Sequence, residues 1–297
     1  MENLLYKYSK FYGFSYFQQC CFRISSPFNQ NDPFEAFPSV NWMVKMRSNE
    51  GQLAGLNDEM IKDRFLSFKT RENMRKHYAA PFDDCGIISF SETNDNLLMW
   101  SHYAECHSGV VIGIDPTHQY FNRHNANHPF YGKIHRVKYR KHRVEKFDSF
   151  LEPIITKSDE WMYEKEHRYI MKIFDADRLI IETKTLDEYN QEHPYSKIID
   201  IKSGNSNKLE ISPSSHHAAK LHRKNKGNFF CDLPKEAIKY IGFGADFDPE
   251  NLQKCLDIII SEWEGCEILV EKFETSLYNF ELDKRTLYTN AVSSDLH

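Results

Sequence analysis

Three short stretches set aromatic side chains directly against ionisable ones. They are Asn31-Asp32-Pro33-Phe34-Glu35, Met99-Trp100-Ser101-His102-Tyr103-Ala104 and Trp161-Met162-Tyr163-Glu164-Lys165-Glu166-His167-Arg168. An aromatic body gains by leaving water, whereas a carboxylate or guanidinium beside it loses unless it is paired. Three such stretches in one chain predict a polar site walled by apolar surface. On a plain strand Glu164, Glu166 and Arg168 would share one face, opposite Lys165, His167 and Tyr169. That face could be a solvated ladder of ion pairs, worth little. Trp161 and Tyr163 would lie on it too and shield it from water, which favours a site.

The other groups divide between chemistry and structure. Asp32 and Glu35 could form a metal or acid–base pair, but an Asn-Asp-Pro segment is better read as a loop brace whose side chains bond nearby backbone. Glu35 and Asn31 stay as candidates to line the pocket. His102, between Trp100 and Tyr103, is either a satisfied buried histidine or a proton carrier near its natural pKa. Trp100 is core or a stacking wall. His102 and Cys106 stand at i and i+4 with His107 and Cys85 near in sequence, but no second ligand pair completes a structural zinc site. A metal-dependent nuclease would use Asp32, Glu35 or Glu166 with a lysine, yet no strand-borne Asp followed by Glu-x-Lys is found at usable spacing. The basic stretches Arg136–Arg143 and Lys220–Lys226 could hold a phosphate backbone, with Tyr139 to stack a base. As single stretches they read first as solvated surface.

These residues sit in a chain of 297 residues with 40% hydrophobic and 14% aromatic content and a net charge of −5. That is a folded profile with a substantial core, and it excludes a general polyanion binder. Seven cysteines without a CxxC pair read as reduced thiols. The opening Met1-Glu2-Asn3-Leu4-Leu5 is not a signal peptide, and no apolar run approaches the ~18 residues of a membrane span. The expectation is a cytoplasmic protein with no membrane contact.

The positioning elements follow from period and punctuation. Strands are expected at Leu4–Tyr8, Cys20–Ser25, Cys85–Ser91, Val110–Ile114, His135–Arg143 and Tyr169–Phe174. A helix follows an Asn94-Asp95 cap and closes at Ser108-Gly109. A helical insertion covers about 50–80, where Met60, Ile61, Phe65 and Phe68 have helical spacing. The polar segment of about 202–228 reads as a mobile loop. A β-α-β unit follows, with a strand at Ala237–Phe243, a helix at Pro249–Trp263 and a strand at Glu267–Phe273. Edge strands are expected near Leu277–Leu282 and Arg285–Tyr288. Strands with helices inserted between them make a single α+β domain over 1–297, a strand-rich mixed sheet.

Five motifs in one order carry a resemblance: Leu5-Tyr6-Lys7-Tyr8, Asn31-Asp32-Pro33-Phe34-Glu35, Ser89-Phe90-Ser91, Met99–Ala104 with His107-Ser108-Gly109-Val110, and Trp161-x-Tyr163-Glu164-x-Glu166-x-Arg168. The chain resembles the bacterial domain-of-unknown-function family numbered 2971, from Leu5 to about Tyr288. More distantly, Lys7 on the first strand, Ser89-Phe90-Ser91 on a middle strand and Glu164-Lys165-Glu166 later resemble the layout of mono-ADP-ribosyltransferases, with Lys7 in the place usually held by Arg. That second resemblance implies an ADP-ribosyltransferase-like fold and NAD as substrate, with no metal. It also implies an unknown protein or nucleic-acid acceptor and a toxin or defence role. Breaking the nicotinamide–ribose bond develops an oxocarbenium cation, as glycoside hydrolysis does, and a nearby carboxylate stabilises it. Under that resemblance Glu166 is the catalytic carboxylate, Glu164 orients the acceptor and Arg168 completes the group. Lys7, Tyr8, Ser89 and Ser91 contact the cofactor, Trp100, His102 and Trp161 wall it, and Asn31, Asp32, Glu35 and Tyr103 complete the pocket. The alternatives are the metal-dependent nuclease and a non-catalytic module that binds a nucleotide or a partner.

Overall fold

A computed structural model describes residues 3–49, 57–67, 82–123, 130–145, 151–198, 201–205, 207–213 and 216–290. The strands are β1 (Leu5–Ser9), β2 (Cys21–Ile24), β3 (Cys85–Ser91), β4 (Val110–Ile114), β5 (Lys133–Arg136), β6 (Lys138–Arg140), β7 (Thr156–Ser158) and β8 (Glu166–Lys172). They continue as β9 (Arg178–Glu182), β10 (Ile201–Gly204), β11 (Lys208–Ile211), β12 (Asn228–Asp232), β13 (Ile238–Phe243), β14 (Leu269–Thr275) and β15 (Leu282–Thr289). The helices are α1 (Ser15–Gln19), α2 (Val40–Asn49), α3 (Asp58–Leu66), α4 (Leu97–Tyr103), α5 (Thr183–Glu192), α6 (His216–Arg223) and α7 (Pro249–Glu262). The class is α+β, with an eight-stranded mixed sheet in the order β15-β14-β13-β4-β1-β3-β8-β5. A second sheet runs β10-β11-β9-β12-β2, and β6 pairs with β7 alone.

The two large sheets enclose the main core, where Phe22, Ile24, Leu179 and Phe229 meet Ile88, Phe90 and Ile112. On the other side α2 and α3 place Trp42, Met43, Ile61 and Phe65 against Ile87 and Ile170. A third cluster gathers Tyr8, Trp100, Val111 and Phe273 around α4.

One feature of the large sheet makes the site. β1 is registered with β4 along its length, from Leu5↔Ile114 to Ser9↔Val110. β3 is registered with β8 from Cys85↔Lys172 to Ser91↔Glu166. Between β1 and β3, however, only Tyr6↔Ser91 are partners. The strands part after that pair, so the sheet opens into a cleft in its middle. β2 lies under the opening and touches β3 through the Ser25↔Ile87 bridge.

Several local expectations change. α4 is capped by Asn96, whose Oδ1 accepts from the Leu98 and Met99 amides at 2.9 and 3.1 Å. The expected caps are engaged elsewhere: Asn94 and Asp95 both accept from Lys284. The helix ends at Tyr103, before Ser108-Gly109, because Glu105, Cys106 and His107 turn the chain with positive φ of 50°, 50° and 68°. The expected strand His135–Arg143 breaks at buried Val137, so β5 joins β8 and β6 joins β7. The segment read as a loop over 202–228 holds β10, β11 and α6. Its polar letters conceal a buried helix face: Ala218 and Leu221 pack in the core beside His217, bonded to the Tyr189 hydroxyl, and His222, bonded to the Cys85 carbonyl. Within the expected 50–80 insertion α3 is found, and 50–56 and 68–80 lie outside the described residues.

The β-α-β unit matches its sequence pattern. Asp248 caps α7 by accepting from the Asn251 amide at 2.8 Å, Pro249 opens the helix, and β13 and β14 run parallel.

Candidate active site

The cleft between β1 and β3 has a volume of about 270 Å³. One wall is Lys7 and Tyr8 of β1; the other is Ser89 and Ser91 of β3, with Glu166 from β8 beside them. Arg23 and Ser25 rise from β2, and Tyr103 comes from the end of α4. Asn31 and Lys157 complete the named contributors with Glu164.

Glu164 and Glu166 reach the cleft by different routes. Glu166 opens β8, whereas Glu164 ends a 3-10 turn over Asp159–Glu164, and Lys165 between them is left-handed with φ 44°. The run from Trp161 to Arg168 is therefore not one alternating strand, and the strand expected at Tyr169–Phe174 runs instead over Glu166–Lys172. Trp161 instead stands over Lys157, whose Nζ is 4.7 Å from the ring centre. The left-handed turn swings both carboxylates into one space.

Beneath the cleft lies a buried ion cluster. Arg168, 1% exposed, donates through Nε and Nη2 to both oxygens of Glu166 at 2.8 Å. Its Nη1 donates to Glu35 at 2.5 Å and to the Ile154 carbonyl. Lys157 reaches Glu164 at 2.5 Å, Glu166 at 3.4 Å and Glu35 at 3.9 Å. The Tyr103 hydroxyl donates to Glu164 at 2.6 Å, and the Ser91 hydroxyl donates to the Glu164 carbonyl at 2.7 Å. Burial alone would raise the Glu166 carboxyl, but Arg168 and Lys157 outweigh it, with help from the Ser89 hydroxyl, and hold it at about 2. Burial lifts Glu164 above the usual carboxylate range against the pull of Lys157. The site therefore joins a permanent anion to a carboxyl of raised proton affinity.

The opposite wall is cationic. The side chains of half-buried Lys7 and exposed Arg23 make no hydrogen bond or ion pair among the described residues. Burial lowers the Lys7 amine to about 8, with Arg23 repelling its charge further and Glu166 opposing the fall. Two unpaired cations facing one space make a place for an anion.

The structure brings Lys7, Tyr8, Asn31, Ser89, Ser91, Tyr103, Glu164 and Glu166 to the cleft, as their types imply. Arg168 and Glu35 lie beneath it and act on Glu166 and on each other. Trp100 is not a wall. It is 0% exposed, donates from Nε1 to the Asn94 carbonyl at 2.8 Å and packs on Tyr8 and Phe273. His102 is exposed and bonds the Tyr163 hydroxyl, and it does not line the cleft. Asp32 braces its loop, its Oδ1 accepting from the Phe34 amide at 2.8 Å. Lys157, Arg23 and Ser25 are not among the residues the sequence singles out; the nearest signals are Asp159-Glu160-Trp161 after Lys157 and Phe22 beside Arg23. Among the described residues no group of three or more His, Cys, Asp or Glu is placed to hold a metal ion.

Comparison with known proteins bears on part of the chain. Residues 99–169 match the family described as Protein of unknown function (DUF2971). The DUF2971 segment runs from within α4 into β8, and so contains the α4 motif and the Trp161–Arg168 motif. It supplies Tyr103, Lys157, Glu164, Glu166 and Arg168 to the site. The motifs of β1, the Asn31–Glu35 loop and β3 lie outside it. No curated protein and no solved structure matches the chain.

Proposed function

We propose that the cleft binds NAD⁺ and transfers its ADP-ribosyl group to an acceptor, in the manner of an ADP-ribosyltransferase. The observation that carries the reading is the meeting of a first-strand cation, a serine strand and two carboxylates in one cleft, with Lys7 on the β1 wall and Glu166 beside the β3 wall. Lys7 and Arg23 hold the pyrophosphate. Ser89 and Glu166 face the nicotinamide ribose. The volume of about 270 Å³ is close to the lower bound of about 300 Å³ for small-molecule sites, room for one end of a dinucleotide.

The chemistry follows from the two carboxylates. The bond between ribose C1′ and the nicotinamide nitrogen breaks, its electron pair leaves with nicotinamide, and positive charge develops at C1′. Glu166, held ionised at about 2, stabilises that charge without taking a proton. The acceptor attacks C1′, and Glu164, with its raised proton affinity, takes the proton the acceptor loses. Lys157 fixes both carboxylates, and Tyr103 holds Glu164. All seven cysteines are free, consistent with a reducing cytoplasm.

Calorimetric titration of NAD⁺ into the protein tests the binding half. Saturable binding that weakens in Lys7→Met and in Ser89→Ala supports the assignment of the two walls. Absence of binding, or binding indifferent to both changes, contradicts it.

A further inference from the structure

Beyond Lys157 lies a second pocket, of about 180 Å³, lined by Asp32, Phe34, Phe37, Arg140, Lys141, Arg143 and Thr156 among others. Lys157 lines both spaces, so the pocket and the cleft are neighbours. We propose that this pocket binds a base of single-stranded nucleic acid, with the adjoining phosphates on Arg140 and Lys141, and that it is the acceptor subsite of the cleft. The acceptor role rests on the transferase reading; the binding does not.

Three observations specify this ligand. First, the rim is cationic. Arg140, Lys141 and Arg143 are exposed, and Lys138 continues the row along β6. Glu152 stands against them, pairing Lys138 at 3.5 Å and Arg140 at 3.8 Å, while Lys141 has no partner among the described residues. Second, the rim carries an aromatic platform. Phe34 is 54% exposed and lines the pocket. The Arg143 guanidinium lies 4.8 Å from its centre and 5.0 Å from that of Phe37, which fixes the platform beside the cations. Cations along a backbone path and an aromatic face for stacking are the two parts of single-strand recognition.

Third, two residues that line the pocket carry a buried oxygen, Asp32 Oδ2 and Thr156 Oγ1, with no hydrogen-bond partner among the described residues. A buried unpaired oxygen is costly, and a donor that reaches it recovers the loss. Nucleobase amino groups are such donors, and a carboxylate accepts from them as it does from cytosine N4. A duplex keeps its bases stacked and paired, so the single strand is the form that fits.

The test is fluorescence anisotropy with the full chain and fluorescein-labelled single-stranded 15-mers of mixed sequence, as DNA and as RNA. The expected result is binding that weakens with salt and that an unlabelled duplex of the same sequence competes poorly. The Arg140→Gln/Lys141→Gln double variant should lower the log–log salt slope by about 1.4, two phosphate contacts at about 0.7 each. Phe34→Ala should weaken binding about tenfold with the slope unchanged, since a lost base stack removes no charge. All three positions are exposed, so a thermal melt should show both variants folded. No binding to either strand, equal competition by duplex, or variants indistinguishable from the parent would each overturn the proposal. Nicotinamide release is not read in this assay. Strand binding without NAD⁺ turnover therefore rejects the transferase and keeps the pocket, and turnover without strand binding does the reverse.

Discussion

Arg168→Met offers the sharpest test of how the site is held. Arg168 makes two bonds of 2.8 Å to Glu166 and one of 2.5 Å to Glu35, all inside the protein. Methionine preserves much of the volume and removes the charge, leaving two buried carboxylates with Lys157 at 3.4 and 3.9 Å. Breaking a buried pair by removing one partner costs about 3–5 kcal/mol. At about 2–4 °C per kcal/mol, the melting temperature should fall by about 6–20 °C at pH 7. The assay is a circular-dichroism melt of both proteins between pH 7 and pH 4.5. In the variant, burial without Arg168 raises the folded-state pKa of Glu166 and Glu35 above the unfolded value. A group raised in the folded state stabilises below its unfolded pKa and loses that contribution as pH rises. The gap between variant and parent should therefore narrow as the pH falls. A loss below about 2 °C, or a gap that does not change with pH, would refute the assignment of Arg168 as counter-charge to both carboxylates.

Other consequences can be checked alongside. NAD⁺ affinity should fall as the pH rises past about 8, where Lys7 loses its proton, and Lys7→Arg should abolish that fall in calorimetric titrations run from pH 7 to 9. Burial depresses the His222 imidazole from 6.5 to about 4, so the unfolded chain binds its proton first and stability declines as the pH falls from 6.5 to 4. His222→Asn should flatten that limb in urea titrations, at some loss of stability at pH 7. Gly244→Ala would drive a Cβ into the His107 carbonyl oxygen, and urea unfolding should show a loss of about 1–3 kcal/mol.

The parts of the fold that the sequence announces are those whose signal is local. α7 has its Asp248 cap, its Pro249 and an apolar stripe through Leu252, Cys255, Leu256 and Ile259. β3 and β4 are runs of apolar and β-branched residues, bounded in β4 by Gly109 and Asp115. What hides is whatever depends on a distant partner. α6 has five polar or charged letters among eight, and its buried face exists because Tyr189 and the Cys85 carbonyl satisfy His217 and His222. Glu164 and Glu166 attracted notice by their type, yet they converge through a left-handed Lys165 that no pattern marks. Lys157 stands in a bland Thr-Lys-Ser segment and matters only because three carboxylates from elsewhere surround it. Trp100 misleads for the opposite reason: beside His102 and Tyr103 it looks like a site residue, but its indole nitrogen is spent on the Asn94 carbonyl. The opening between β1 and β3 is a property of two registers, and neither strand's sequence contains it.

The central claim is that Glu166 serves the breaking of a nicotinamide–ribose bond. Nicotinamide release from NAD⁺, measured with purified protein plus cell lysate as a source of acceptors, tests it most directly when wild type is compared with Glu166→Gln. The account predicts release by the wild type and its abolition in the variant, which keeps the shape of the side chain and removes its charge. No release by the wild type across varied acceptors, or equal release by both proteins, would contradict it.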